Sequence, residues 1–326
     1  MPLPALLSWS RLQLCRTHFE APLQVHLALS AMKDAPLELR WKGPDAPALQ
    51  LRSLARARGL LEFLLEQPAV LETARPEGRG LLGFEWKGSR VLLRPCRDEF
   101  AMFRQVWLDD VYRVNELPPP IGTVIDLGAR TGLFASRVAL LGAERVLAFE
   151  PLEEDRALLV KNTAEAGATQ VQVQEEQLGA HSGQRAAILY PEGDGRADAF
   201  ADATTITLED LFERHKVERC DLLKARIDQV SAVEALAQAP SELLRGRVRR
   251  VALALATSKE IQAALPPLRA LLSKAGLRVE ERELPDEGLR VLLGAREEKT
   301  RASGRVAKQS ERLPRSSSAR LAKPAS

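Results

Sequence analysis

The chain has 326 residues, enough for one large domain or two, and 45% of them are hydrophobic while 5% are aromatic, so aliphatic side chains would dominate the core. No apolar run approaches the roughly 20 residues of a membrane span, and the N-terminus has neither the basic start nor the cleavage site of a signal peptide. Three cysteines and four histidines are scattered without metal-ligand spacing. We therefore expect a cytoplasmic protein with reduced thiols, no membrane span and no metal site.

The net charge of +3 is unevenly distributed. Between Arg296 and Ser326, nine Lys and Arg residues stand against three Glu, so this end carries +6 and the remainder −3. A basic tail can bind nucleic acid or an acidic membrane surface, but this one has no aromatic residue that could stack on bases. We predict a disordered tail over residues 297–326 and expect no nucleic-acid partner.

The sequence pattern of residues 1–117 predicts an irregular α+β extension. Residues 18–32 are compatible with a strand or with a short helix, and their pattern does not choose between them. Leucines at helical spacing predict a helix over 54–74 that Pro68 ends or kinks, and residues 81–95 predict a hairpin. The next helix would place three aromatic residues on one face, for packing rather than as a substrate site: Phe100, Phe103 and Trp107.

From Gly122 onward strand and helix patterns alternate, which predicts an α/β fold with a doubly wound, mostly parallel sheet over residues 118–296. The predicted strands are 122–127, 145–149, 170–175, 220–226 and 248–256. The predicted helices are 132–141, 153–166, 207–215, 230–245 and 260–275. Residues 277–295 predict a closing antiparallel hairpin, and 180–204 an edge hairpin with a mobile loop over the site.

The most informative segment is GTVIDLGARTGLFASRVALLGAERVLAFEP, residues 122–151. It predicts a β-α-β unit, and such a unit places a polar turn and the strand-end carboxylate Glu150 at one sheet edge, where nucleotide-like cofactors bind. The glycines Gly128 and Gly132 do not make the G-x-G-x-x-G turn of a dinucleotide site. Asp126 would repel a pyrophosphate but suits a cationic sulfonium cofactor, so we favour S-adenosyl-L-methionine over NAD.

Several ordered segments resemble the FkbM-type methyltransferases. DLGARTG (126–132) is similar to the first motif of that family, D-x-G-A-N-x-G, and Glu150-Pro151 to the end of its second strand. The resemblance extends over about residues 80 to 295. Four flanking segments carry it as well: LLRPCRDEFAMFRQVWLDDVY (92–112), ALLVKNTAEAG (157–167), TITLEDLF (205–212) and CDLLKARIDQV (220–230).

The resemblance implies a class I, Rossmann-like methyltransferase with seven strands and a C-terminal antiparallel hairpin. It further implies S-adenosylmethionine as cofactor and a hydroxyl of a small molecule or glycan as acceptor. Asp228 and Lys224 are the candidates for acceptor handling. The predicted cofactor-binding residues are Asp126, Gly128, Ala129, Arg130, Gly132, Glu150, Pro151, Glu175, Glu176 and Arg226.

The chain departs from the family pattern at the fourth strand. Where the family has Lys-Ile-Asp-Val-Glu-Gly, this sequence has Lys-Ala-Arg-Ile-Asp-Gln over 224–229, and Arg130 replaces the Asn of the first motif. Arginine cannot act as a base, and a like charge about 4 Å from a cationic cofactor costs roughly 4 kcal/mol at an effective dielectric of about 20. Pairing with Asp126 or Asp228 would reduce this cost; alternatively, Arg130 or Arg226 binds the cofactor carboxylate or an acidic acceptor.

Two functional hypotheses remain open on the sequence. The first is an active methyltransferase with an altered site. The second is a catalytically degenerate relative that keeps the fold as a binding or scaffolding module. An NAD oxidoreductase is a distant third, and the oligomeric state is not predicted.

Overall fold

The computed structural model describes residues 9–30, 34–43, 48–190 and 199–296. The described part of the chain, which ends at Arg296, forms one compact unit. The predicted tail therefore lies outside the described residues, as does 191–198 of the predicted mobile loop.

A seven-stranded sheet forms the centre of the molecule. Its strands are β6 Ile121–Leu127, β7 Ala143–Phe149, β8 Val171–Gln174, β12 Leu222–Ile227, β13 Arg250–Ala256, β14 Arg278–Leu284 and β15 Leu289–Ala295. Their order in the sheet is β8-β7-β6-β12-β13-β15-β14. Strands β8 to β13 in this order are parallel, whereas β15 is antiparallel to both β13 and β14.

The inner strands β6, β7, β12 and β13 are buried over four or five consecutive residues, as expected where helices cover both faces of a parallel sheet. The chain starts in the middle of the sheet at β6, winds outward through β7 and β8, and resumes on the other side at β12. The order of connection therefore reverses between β6 and β12, where this class of sheet binds ligands. This order, with its terminal antiparallel strands, is the class I methyltransferase fold, so the predicted fold class is confirmed.

Helices pack on both faces of the sheet, and most lie within two residues of their predicted bounds. The bounds are α6 Leu133–Leu140, α7 Glu153–Glu165, α8 Leu208–Arg214, α9 Val230–Ala237, α10 Ser241–Arg247 and α11 Lys259–Lys274. The predicted single helix over 230–245 was wrong, because the chain leaves helical geometry before Pro240, which precedes the first residue of α10. Pro266 and Pro267 are accommodated inside α11, whose apolar face remains buried.

The N-terminal extension has the predicted α+β character. Its helices are α1 Trp9–His18, α2 Pro22–Ser30, α3 Leu54–Glu66, α4 Pro68–Thr73 and α5 Arg97–Phe103, and its strands are β1 Leu37–Arg40, β2 Ala48–Leu51, β3 Arg75–Glu77, β4 Leu81–Trp86 and β5 Ser89–Leu93. The undecided segment 18–32 is mostly the helix α2. Pro68 ends one helix and begins the next, and β4 and β5 form the predicted hairpin.

The predicted aromatic helix is regular only to Phe103, and Arg104–Leu108 form a single π-helical turn. Phe100 and Phe103 stack on each other within a cluster of rings, which supports a packing role. The indole of Trp107 lies instead beside Arg137, whose guanidinium carbon is 5.9 Å from the ring centre.

A small sheet flanks the fold beside β8. It contains β9 Gln177–Leu178, β10 Arg185–Tyr190 and β11 Ala199–Ile206. β10 and β11 are antiparallel, as the predicted edge hairpin requires, and β11 pairs with β9 in parallel.

The extension and the central sheet share one hydrophobic core. Buried side chains from Cys15 to Val291 form a continuous cluster that includes α3, β4, β6 and α6. Asn162 of α7 ties the two parts together, since its amide bonds the backbone N–H and C=O of Leu92 and the carbonyl of Thr131. Among the described helices, none has the length and apolarity to cross a membrane.

Candidate cofactor and active site

The turn after β6 is built around three residues with positive φ: Gly128 at 69°, Arg130 at 52° and Gly132 at 79°. The backbone N–H groups of Gly128 and Ala129 both donate to the carbonyl of Phe149, so the turn folds back onto the end of β7. A Cβ on Gly128 would lie 2.9 Å from the carbonyl oxygen of Arg226. The glycine therefore permits close approach of β6 to β12, and one edge of the sheet collects the predicted site residues.

Asp126 forms a buried ion pair with Lys224. The ammonium lies 2.7 Å from Oδ1 of Asp126 and also donates to the carbonyl of Gly128 at 3.2 Å, while the side chains are 0% and 4% exposed. Burial raises the pKa of Asp126, and Lys224 opposes this effect. Oδ2 of Asp126 has no hydrogen-bond partner among the described residues. Lys224 is thus held by Asp126. To take part in handling the methyl acceptor, as predicted, its ammonium must contact the acceptor while it is paired with Asp126.

Glu150 is fully buried at the end of β7. Its two carboxylate oxygens accept hydrogen bonds from the backbone N–H groups of Arg130 and Leu152, at 2.8 and 2.9 Å. Burial, followed by the charge of Asp155, raises the pKa of Glu150 to about 7. Each oxygen retains a second lone pair, so Glu150 can still accept a hydrogen bond from a bound diol.

The guanidinium of Arg130 is paired beneath the turn. Its Nε lies 3.3 Å from Oδ2 of Asp155, whose other oxygen accepts from Arg94 at 2.8 Å. Arg94 also contacts Glu99 at 2.9 Å, and Thr131 donates to that glutamate. Burial lowers the pKa of Arg130, but Asp155 and Glu99 outweigh it and raise the net value. The charge of Arg130 is therefore compensated by neighbouring acids.

Arg226 occupies the end of β12, and its side chain is 16% exposed. Its Nε lies 3.4 Å from Oδ2 of Asp228, and its Nη1 is buried without a hydrogen-bond acceptor among the described residues. Burial lowers the pKa of Arg226, and Asp228 and other acids raise it to a net value above the ordinary one. Asp228 itself is 42% exposed at the rim.

These residues surround a cleft that holds about 650 Å³ of space, its solvent-open mouth included. Apolar walls come from β7, β12 and α9. Of the predicted site residues, the cleft is lined by Gly128, Arg130, Glu150, Pro151, Glu176, Arg226 and Asp228.

A smaller hollow of about 280 Å³ adjoins the cleft. Gly128, Arg130 and Arg226 line both spaces. Ala129 and Lys224 line the hollow alone, together with residues that the sequence did not single out: Met102, Gln105, Val106, Tyr112, Thr131, Leu133 and Phe134. The lead-in segment 92–112 signalled this region only by resemblance.

Three predicted cofactor residues line neither space. Asp126 lies beneath the turn, and Gly132 packs against Leu159 of α7. Glu175 is 76% exposed and lies 3.8 Å from Arg156, whereas the neighbouring Glu176 is 15% exposed and pairs with Arg214. The strand end therefore directs Glu176, not Glu175, toward the cleft.

Two glutamines complete the polar lining of the cleft. The amide nitrogen of Gln177 lies 3.4 Å from the amide oxygen of Gln229, and the amide oxygen of Gln177 is buried without a partner in the described part of the chain. Within the same residues no cluster of three His, Cys, Asp or Glu side chains could hold a metal ion. The donor set therefore fits a nucleoside cofactor with a buried acceptor for its ribose and amides for its base.

No protein-family model matches the chain, and no curated protein matches it. Solved structures with a similar fold include an rRNA methylase from Streptococcus thermophilus, with 13% identity, 57% of this chain and 92% of that chain covered, and a TM-score of 0.40. The METTL16 methyltransferase domain has 14% identity, with coverage of 72% and 91% and a TM-score of 0.42. TrmK from M. capricolum, in complex with the cofactor product S-adenosylhomocysteine, has 10% identity, coverage of 59% and 69%, and a TM-score of 0.39. At these values the similarity is one of general fold.

Proposed function

We propose that this chain is an S-adenosylmethionine-dependent methyltransferase that methylates a hydroxyl of a small molecule or glycan. The observation that carries the proposal is the convergence of Glu150, the Gly128 turn and the strand-end amides on one cleft of the class I methyltransferase fold. A nucleoside fits these walls, because buried apolar surface covers a base while a buried carboxylate orients a ribose.

Each residue has a stated task in this proposal. When bound, the cofactor supplies an electrophilic methyl group on a sulfonium. Glu150 accepts hydrogen bonds from the ribose hydroxyls, and Glu176 with Gln177 borders the base. The ion pair of Asp126 with Lys224 holds the carbonyl of Gly128, and with it the turn, in position.

Asp228 is the candidate base for the acceptor hydroxyl. A hydroxyl must lose its proton as it attacks a methyl group, and a positioned carboxylate can accept that proton. Asp228 is exposed at the rim of the cleft, where an acceptor can reach it, whereas Lys224 is buried and paired. We therefore assign proton transfer to Asp228 and a positioning role to Lys224.

Binding of S-adenosylhomocysteine, measured by titration calorimetry, tests the cofactor class. We expect wild-type protein to bind it and Glu150→Gln to bind it about tenfold or more weakly, because one charge-assisted acceptor is lost. Glu165→Gln is the matched control, since Glu165 is exposed at the end of α7. Absence of binding by the wild-type protein would refute the proposal.

Turnover and the acceptor class need a second experiment. Incubation with methyl-labelled S-adenosylmethionine and a cell extract should label a small molecule or glycan. Asp228→Asn should retain S-adenosylhomocysteine binding and lose at least about a hundredfold in labelling rate. Label recovered in RNA or protein would contradict the proposed acceptor class.

A degenerate binding module is the second candidate, and a specific observation favours it. Arg226 stands near the end of β12, at the position where the family pattern has an acid. This hypothesis predicts binding of S-adenosylhomocysteine without labelling of any acceptor. Labelling by the wild-type protein that Asp228→Asn abolishes would exclude it.

A further inference from the structure

Arg226 presents a buried hydrogen-bond donor that nothing in the described chain satisfies. Its Nη1 has essentially no contact with solvent and no acceptor among the described residues, while its Nε reaches Asp228. A buried charged donor without an acceptor is costly, because its desolvation is not offset by a hydrogen bond. Such an atom at the wall of a cleft indicates a ligand that carries an acceptor.

The other cations at the site are already engaged. Lys224 is bound by Asp126, and Arg130 faces Asp155 and Glu99. Nε of Arg130 faces Asp155, whereas Nη1 of Arg226 faces no acceptor among the described residues, so an anionic group would be recognised there.

The position of Arg226 favours a ligand group that belongs to the cofactor. Its side chain lines both the large cleft and the small hollow, as does Gly128. The lining of the hollow includes apolar residues of α6 and of the lead-in helix, among them Phe134 and Met102. A small hollow with such walls suits the short arm of a nucleoside bound in the cleft better than a separate acceptor molecule.

We propose that Arg226 binds the α-carboxylate of the aminoacyl arm of the cofactor, with the nucleoside in the cleft and the arm directed into the small hollow. This inference rests on the proposed function and deepens it. Under this proposal Arg226, which stands where the family pattern has Asp, is a binding residue. The cofactor carboxylate lies between the guanidinium and the sulfonium and compensates both positive charges.

A comparison of two ligands isolates the contribution of the cofactor carboxylate to binding. One is S-adenosylhomocysteine, and the other is 5′-deoxy-5′-(3-aminopropylthio)adenosine, which keeps the nucleoside, the sulfur and the ammonium but lacks the carboxylate. Their dissociation constants are measured for the wild-type protein, Arg226→Met, Arg226→Lys and Arg282→Met. Arg282 is an exposed arginine of the edge strand β14 and serves as the matched control.

We expect the wild-type and Arg282→Met proteins to bind S-adenosylhomocysteine about 10- to 100-fold more tightly than the decarboxylated ligand. In Arg226→Met this ratio should fall to near one through weaker binding of S-adenosylhomocysteine alone. Arg226→Lys should give an intermediate ratio, because an ammonium keeps the charge but not the planar pair of donors.

Other outcomes overturn the inference. An unchanged ratio in Arg226→Met, or equal weakening of both ligands, would show that Arg226 does not bind the carboxylate. Tighter binding of S-adenosylhomocysteine by Arg226→Met would show that the arginine repels the cofactor. Failure of the wild-type protein to bind either ligand would refute the proposed function itself, and melting temperatures without ligand identify a variant that does not fold.

Discussion

At the residue scale, burial decides what the charged side chains of the site can do. The sequence places Arg130 and Arg226 near a cationic cofactor, but it does not distinguish them. In the structure Arg130 is held by Asp155 and Glu99, while Arg226 keeps a donor without an acceptor. Neither Glu99 nor Asp155 could be identified from spacing, since they come from two helices separated by 55 intervening positions in the chain.

Glu150 should make stability depend on pH. Its pKa of about 7 exceeds its ordinary value of 4.5, so the native state holds a proton that the unfolded state releases. The resulting stabilisation is complete below pH 4.5 and is lost as the pH rises through 7, with a size of about 3 kcal/mol. Urea unfolding at several pH values should show this loss in wild type and not in Glu150→Gln. Parallel profiles of the two proteins would refute the assignment.

The same group should couple pH to binding. Ribose hydroxyls donate to a carboxylate better than to a carboxylic acid, so affinity for S-adenosylhomocysteine should increase as the pH rises from 6 to 8. Calorimetry in buffers of different ionisation enthalpy should detect proton release on binding. Proton uptake would contradict a ribose contact with ionised Glu150.

The ion pair of Asp126 and Lys224 should stabilise the folded protein only while both residues are present. Lys224→Met leaves a buried carboxylate without a counter-ion, and we expect a loss of about 3–5 kcal/mol in the free energy of unfolding. The double variant Asp126→Asn with Lys224→Met should recover much of this loss, because neither group is then charged. A double variant as unstable as the single one would show that the cost arises from packing.

At the scale of elements, apolar runs and breakers specified most of the fold. Strands β6, β7, β12 and β13 lie close to their predicted bounds, since each contains an apolar run that is buried on both faces of the sheet. The break between α9 and α10 and the π-helical turn after α5 were not predicted. Pro240, just before α10, marks the first of these in the sequence, whereas apolar periodicity carries no signal for the second.

The turn after β6 provides an element-scale prediction. A Cβ on Gly132 would lie 2.9 Å from Cγ and 3.0 Å from Cα of Leu159, at a φ of 79°. Gly142 has a φ of 90°, but nothing lies within 4 Å of its Cβ position. We expect Gly142→Ala to cost about 1 kcal/mol of stability, and Gly132→Ala to cost at least about 2 kcal/mol more, because α7 must move. Equal losses in thermal unfolding would show that α6 and α7 are not closely packed there.

At the scale of the whole molecule, the N-terminal extension and the sheet belong to one compact unit. They share a continuous core, and Asn162 bonds the hairpin β4–β5 to the turn after β6. A fragment of residues 118–296 would expose the inner face of α6 and leave the site without the walls that Met102 and Tyr112 provide. The lead-in segment therefore belongs to the shared hydrophobic core as well as to the wall of the candidate site.

We predict that the fragment 118–296 does not unfold cooperatively on heating and binds a hydrophobic dye, because the apolar surface it exposes is no longer covered. Circular dichroism during heating and dye fluorescence measure these properties. Removal of residues 297–326 is the control and should leave the transition unchanged, because the described compact unit ends at Arg296. A sharp transition in the fragment would establish an independent domain.

The sequence by itself determined the class of fold, the positions of its main strands along the chain and the edge of the sheet that carries the candidate site. These follow from periodicity, from strand-end residues and from the tendency of parallel β-α-β units to place such residues at one edge. The tertiary structure decided which charges cancel. Asp126 pairs with Lys224 and Arg130 with Asp155, whereas Arg226 keeps a buried donor without an acceptor among the described residues. Coulomb energies depend on separation and burial, and both arise only when segments distant in the chain come together.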